Sequence, residues 1–273
     1  MIILRFGNSG RLAGVCETAT RLTYPQCSRF SLTRGGNFRR DRDGLEYASL
    51  QSMVQANPGE KFLVLDASVD HSCTESLVSH ESFKRDCIEA LGRQGLLWRC
   101  VGFSSGITLI DPAQVRPTAT HMLEYRRQKV AQEELFITLE CPVFLPQVFT
   151  LIGPRTYAAQ NAAWAQILRA RLERATGTVL NEPRSRRAWV SEFEVLRLLL
   201  TFLFAETPAN LVTPLVQGEF TLHEVATDKQ LPLPAMSYSE GIGEGWLNGD
   251  YVPQSPLLNQ QAITDELLRS LNL

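Results

Sequence analysis

The chain has 273 residues, 44% of them hydrophobic and 21% charged, and its 27 Lys and Arg face 29 Asp and Glu for a net charge of −2. That composition excludes an intrinsically disordered segment and gives no overall field that would select nucleic acid. The length suits one large domain, or a core domain with a smaller lobe.

The amino-terminal half alternates apolar runs with helical patterns. "MIILRF" reads as a strand that ends in the glycine turn "GNSG", and "RLAGVCETATRL" follows with helical spacing. "CSRFSLTR" reads as a second strand. "LEYASLQSMVQAN" reads as a helix that stops at Asn57-Pro58-Gly59. "KFLVLDAS" is an apolar strand, "TESLVSHESFKRDCIEALGRQG" a helix ending on Gly95, and "LLWRCVGFSSG" another strand. "THMLEYRRQKVAQEEL" is helical, and "FITLECPVFLPQVFTLIG" is β-rich and broken by two prolines. Beyond Pro154, "NAAWAQILRARLERA" is a helix, and "RAWVSEFEVLRLLLTFLF" a strand followed by an apolar helix. A Pro- and Gly-rich stretch from about residue 226 and a short last helix, "QAITDELLRSLNL", complete the chain. Strands alternating with helices predict a parallel sheet covered on both faces, with ligands at the carboxyl ends of its strands. The polar clusters "GNSG", "TRGG", "DAS" and "SSG" all follow strands.

The six cysteines, Cys16, Cys27, Cys73, Cys87, Cys100 and Cys141, lack zinc or redox spacing and read as reduced core residues. The four histidines, His71, His80, His121 and His223, lack ligand spacing, so no metal is expected. "MIILRFGNSG" carries neither a basic n-region nor a cleavage site, and the apolar stretch "VLRLLLTFLFA" is too short to span a bilayer. The expectation is a cytoplasmic protein without a membrane partner.

Gly7, Gly10 and Ala13 form G-x-x-G-x-x-A at the first strand–helix turn, with Gly14 next. Glycines there let the backbone approach a pyrophosphate, and the helix amino terminus offers free N–H groups. The turn Gly7-Asn8-Ser9-Gly10 is therefore the predicted pyrophosphate cradle. Dinucleotide folds often place an acid at the end of the second strand, but here stands Arg34, with Arg39 and Arg40 close behind. A guanidinium there suits a 2′-phosphate, which places NADP ahead of NAD; the other reading is a basic surface loop. Tyr125 and Lys129 are four apart on one predicted helix and share a face. A phenol is a poor acid at neutral pH unless a neighbouring cation supports its anion, and the same lysine can hold a nicotinamide ribose. The plainer reading is a solvated helix that carries the pair by chance.

These motifs, with "IEALGRQG", "VGFSSG", the run Tyr125-x-x-x-Lys129-x-x-x-Glu133, "QVFTLIGP" and "RAWVSEFE", resemble the extended short-chain dehydrogenase/reductases, especially those acting on nucleotide-activated sugars. The resemblance covers most of the chain. It implies an α/β fold with a Rossmann-like doubly wound parallel sheet and a small carboxyl-terminal substrate lobe, divided as 1–154 and 155–273. It implies Tyr125 as acid/base, Lys129 as its support and a hydroxyl that polarises the substrate oxygen. Gly106 falls at the usual Ser/Thr position, so Ser105 or Thr108 is the expected substitute. Asp66, Ala67 and Ser68 fall to the cofactor site, and Ser104, Thr150 and Arg187 to the substrate. Gln147 and Thr150 stand where an arginine and an asparagine are common. Asp66 also reads as a cap for the following turn.

The resemblance implies hydride transfer between NADP or NAD and a nucleotide sugar, by epimerisation or reduction. Dehydration is disfavoured, because no Asp-Glu pair follows Ser105. It also implies a homodimer paired through the helices near 74–94 and 120–135. Two alternatives stay open: a decayed dinucleotide-binding or scaffold protein, and a reductase of non-sugar carbonyls.

Overall fold

A computed structural model describes residues 1–7, 10–33, 35–68, 75–109, 111–114, 120–153, 186–221 and 223–224. Asn8, Ser9, Arg34, the helix expected near 161–175 and everything past 224 lie outside these residues, as do the side chains of His80, His121 and Arg187. By its contacts the chain divides into two units, one of 1–16, 24–147 and 207–214, the other of 17–23, 148–206 and 215–273.

The first unit is built on a seven-stranded sheet. Its elements are β1 (Ile2–Phe6), α1 (Arg11–Thr23, which from Glu17 on belongs to the second unit), β2 (Ser28–Leu32), β3 (Phe38–Arg40), β4 (Glu46–Tyr47), α2 (Leu50–Ala56), β5 (Phe62–Asp66), α3 (Glu75–Arg93), β6 (Leu97–Gly102), β7 (Ser104–Ser105), α4 (Thr120–Ile137), β8 (Val143–Phe144) and β9 (Gln147–Val148, which ends in the second unit). The strand order is β4-β3-β2-β1-β5-β6-β8. β2, β1, β5, β6 and β8 run parallel, as the alternating pattern predicts.

The edge differs from the expectation. "LEY" does not begin the second helix: Glu46–Tyr47 is a strand, and β2-β3-β4 is an antiparallel meander. The turn residues account for this. Gly36 and Gly44 adopt positive φ at the two reversals, and Arg40 pairs with Asp43 at 2.5 Å across the second. α2 begins only after Ser49, whose hydroxyl accepts from Ser52 N while Ser52 Oγ accepts from Ser49 N, a reciprocal cap. Asn57 closes the helix where the Asn-Pro-Gly signal placed the stop.

The core follows the period of two expected of strands. Ile2, Leu4, Phe6, Phe30, Leu32, Phe62, Val64 and Cys100 line one face and pack with Met53 of α2, Cys87, Ile88 and Leu91 of α3, and Leu135 and Phe136 of α4. The intervening Ile3, Leu63, Leu65 and Val101 are equally buried, so the strands are apolar on both faces. Of the five described cysteines, Cys16, Cys87, Cys100 and Cys141 are buried. The outer side of β8 is covered by residues 210–211: Leu145 N donates to Leu211 O at 2.7 Å and Leu211 N to Val143 O at 2.8 Å.

The carboxyl ends of the central strands lie in register, Phe6 beside Asp66 and Asp66 beside Gly102. The turns after β1, β5 and β6 therefore open on one edge of the sheet. Gly7, φ +84°, lies so close to the turn after β5 that a Cβ would sit 2.6 Å from Ser68 Cα. Only glycine fits, by conformation and by space. Gly7→Ala is expected to cost about 2–3 kcal/mol of stability, read as a lowered urea midpoint at constant slope. A change within experimental error would show that the two turns do not meet.

The second unit holds β10 (Thr150–Ile152), β11 (Arg186–Ser191), α5 (Glu192–Phe204), β12 (Pro214–Leu215, which begins in the first unit) and β13 (Gly218–Thr221). β11 lies between β10, parallel to it, and β13, antiparallel. The Ser191 hydroxyl caps α5 by accepting from Glu194 N. Trp189 stacks on Phe220 and leaves room only for glycine at 218. No described helix is long and apolar enough to cross a membrane.

Candidate active site

The row of strand ends and the helix α4 bring together most of the residues singled out in the sequence. β6 runs through Gly102 into Phe103, Ser104 and Ser105, and the chain then turns through a 3-10 segment, Gly106–Leu109. Gly102 allows α4 to come close, since a Cβ there would meet the Phe136 ring at 2.9 Å. α4 thereby places Tyr125, Lys129 and Glu133, one turn apart each, along the strand end.

Burial raises the Tyr125 phenol above its ordinary value, and the neighbouring Ser105 hydroxyl opposes that rise. Ser105 Oγ lies 3.4 Å from Ile107 N. Lys129 is buried and donates to Phe103 O at 2.7 Å and to Gln132 Oε1 at 2.9 Å. Burial pulls its ammonium down to about 8; Asp66 acts against that fall and Lys84 with it. An ammonium has three N–H donors, so these two bonds leave one for a ligand.

Glu133 organises a second group. Its Oε1 accepts from Ser104 Oγ, from Thr108 Oγ1 at 2.9 Å and from Gln147 Nε2 at 2.9 Å. Thr108 Oγ1 also bonds Ser105 O at 3.0 Å. Ser104 and Thr108 thus hold the loop against α4, and Ser105 is the hydroxyl that meets the tyrosine. Gly106 sits buried in the 3-10 turn with no side chain to offer. Gln147, noted as a departure from the resemblance, completes the grip on Glu133.

Asp66 turns inward. It is 1% exposed, and its oxygens take Ser68 Oγ at 2.5 Å, Gln132 Nε2 at 2.6 Å and Lys84 Nζ at 3.0 Å. Burial opposes its ionisation, but Lys84 and Lys129, with the bonds from Ser68 and Lys84, outweigh burial and hold the carboxyl below its ordinary value. Sequence reading missed Lys84 and Gln132. One signal was available: the chain has four lysines, Lys61, Lys84, Lys129 and Lys229, against 23 arginines, so a lysine here is a selective choice.

A dinucleotide fits part of this arrangement. Gly10, φ +134°, has nothing within 4 Å of where a Cβ would be, and α1 starts at the next residue. The glycine turn thus offers space and a helix amino terminus, and Lys129 offers a donor. The oxygens of Asp66 are already engaged within the protein, and so is the Ser68 hydroxyl, which donates to Asp66 at 2.5 Å and accepts from Lys84 at 2.8 Å. Arg40 of the basic cluster is paired with Asp43. Thr150 pairs with Trp189 on β11, the strand that carries Arg187, and both belong to the second unit. Among the described residues no group of three or more His, Cys, Asp or Glu could hold a metal ion.

No family model matches the sequence, and no curated protein matches it. Solved structures do. The Bordetella bronchiseptica enzyme WbmG in complex with NAD and UDP is 15% identical, with a TM-score of 0.57 over 97% of this chain and 93% of that one. MoeE5 in complex with UDP-glucose and NAD is 16% identical, with a TM-score of 0.52 over 82% and 79%. A UDP-N-acetylglucosamine 4-epimerase from Methanobrevibacter ruminantium M1 is 9% identical, with a TM-score of 0.53 over 86% and 84%. With its five parallel strands, its glycines at the turn after β1 and these neighbours, the chain has a Rossmann-like α/β fold.

Proposed function

We propose that the protein is an NAD(P)-dependent oxidoreductase or epimerase acting on a nucleotide-activated sugar. The observation that carries this reading is the placing of Tyr125 beside Ser105 at the carboxyl end of β6, with the buried Lys129 one turn along the same helix. A bound nicotinamide would supply the hydride acceptor or donor. Tyr125 gives or takes the proton of the sugar hydroxyl. Ser105 binds the same oxygen and orients the phenol. Lys129 holds the nicotinamide ribose with its remaining donor and offsets the charge of the phenolate.

The turn Gly7-Asn8-Ser9-Gly10 would cradle the pyrophosphate, and Ala67 and Ser68 would flank the cofactor at the next strand end. Arg34 would select a 2′-phosphate. Thr150 and Arg187 would contribute to the substrate, with Ser104 fixing the loop between. Solved structures of this fold hold UDP-glucose with NAD, or NAD with UDP, which supports a nucleotide-sugar substrate. Epimerisation or reduction fits the site better than dehydration, because no Asp-Glu pair follows Ser105. The same reading pairs α3 and α4 with those of a second copy and places the protein in the cytoplasm.

Titration with NADPH and NADH by nicotinamide fluorescence tests the cofactor half. NADPH is expected to bind about tenfold or more tighter than NADH, with the gap closed by Arg34→Ala. Equal affinities would remove the role of Arg34, and no binding of either would remove the whole reading.

A further inference from the structure

Two of the four lysines of the chain, Lys84 and Lys129, lie 4% and 5% exposed in one buried network. Arginines carry most of the surface positive charge, and arginine does not titrate in proteins. The network joins three elements. Lys84 of α3 bonds Glu81 Oε2 at 2.6 Å and Asp66 Oδ2 at 3.0 Å; Asp66 of β5 accepts from Gln132 of α4; and Gln132 accepts from Lys129.

The orientation of Gln132 is forced. A carboxylate only accepts, so the amide must present its NH2 to Asp66, and its oxygen then faces Lys129. That oxygen and Phe103 O fix the direction of the ammonium from two sides. We propose that Asp66 and Gln132 are positioning residues for Lys129, and that Lys84 is the counter-charge that keeps Asp66 ionised in the interior. The proposal rests on the reading of Lys129 as a cofactor and proton-transfer residue, and it extends that reading to residues the family resemblance does not supply.

The charged groups facing Lys129 are Asp66 from β5, Lys84 and Glu81 from α3, and Glu133 from its own helix. Their signs give the test its direction. Losing the Gln132 bond removes an acceptor from the ammonium and lowers the pH at which Lys129 titrates. Losing Lys84 lets the buried Asp66 take up a proton, and without the attraction of that carboxylate the midpoint of Lys129 falls as well. A residue that merely supports the fold would leave both midpoints in place. A cavity of about 190 Å³ borders the network at Asp66, Lys84 and Gln132.

Lysine labelled with carbon-13 at Cε gives four signals, assigned by replacing each lysine in turn. In the full-length wild type the Lys129 signal is expected to titrate below the rest. Gln132→Met is expected to shift its midpoint down by about one unit, tenfold in proton affinity, and Lys84→Met to shift it down as well. Midpoints that stay within about 0.3 unit of wild type in Gln132→Met would overturn the proposal, as would an upward shift in Lys84→Met. If Lys84→Met does not fold, Gln132→Met decides alone, since it keeps the side-chain length. NADH and NADPH affinities are measured on the same samples. Failure of the wild type to bind either cofactor would sink the parent reading only, because the titration needs no ligand.

Discussion

Lys84→Met is expected to lower the free energy of unfolding by about 3–5 kcal/mol. Asp66 is wholly buried and 3.0 Å from this ammonium. Removing the ammonium strands a carboxylate that water cannot reach, and that loss exceeds the modest net worth of an intact pair. The sign in pH follows from the shifts. Burial opposes the charge on both partners, but their mutual attraction lowers Asp66 and raises Lys84. The share from Asp66 is present above its ordinary 3.8 and is lost as pH falls through its lower folded value. The share from Lys84 is present below its ordinary 10.5 and is lost as pH rises through its higher folded value. Urea unfolding at neutral pH measures the sum. The double variant Asp66→Leu, Lys84→Met is expected to recover only part of the loss, because the stranded carboxylate is gone while the buried Lys129 loses the charge that faced it. A single variant within about 0.5 kcal/mol of wild type would show that the pair is solvated.

Tyr125→Phe is expected to reduce turnover of a nucleotide sugar by about 10²- to 10⁴-fold, with NADH affinity within a few-fold of wild type. Phenylalanine keeps the ring and its packing but removes the hydroxyl that meets Ser105. The proton then has no acceptor at the reacting oxygen. Single-turnover kinetics with bound cofactor separate this loss from slow product release. Unchanged turnover would end the assignment of Tyr125 as acid/base.

The parts of the fold legible in the sequence are those that local pattern governs. The apolar runs "MIILRF" and "KFLVLDAS", the glycines after β1 and the Asn57 stop each act within a few residues, and each stands where the pattern put it. The β3–β4 edge was not legible. "NFRRDRDGLEY" is short and charged, and its strand character comes from pairing with β2 rather than from any hydrophobic period. The site divides in the same way. Tyr125, Lys129 and Glu133 are read from helical spacing. The bonds that fix them are not local: Gln132 reaches Asp66 across 66 residues and Gln147 reaches Thr108 across 39. The inward turn of Asp66 depends on Lys84, 18 residues later, and nothing near Asp66 in the sequence announces it.

The meander whose last strand takes the first residues of an expected helix also bears on how the molecule meets its own kind in concentrated solution. An open sheet normally leaves two rows of unmet amide and carbonyl groups on which a foreign chain can crystallise. Here one margin ends in a two-residue strand flanked by Asn37, Glu46 and the Arg40–Asp43 pair, and the other is sealed by residues 210–211. Neither offers the length of bare backbone that fibre growth needs, so the first unit resists edge-to-edge polymerisation by its architecture, without relying on a large net charge.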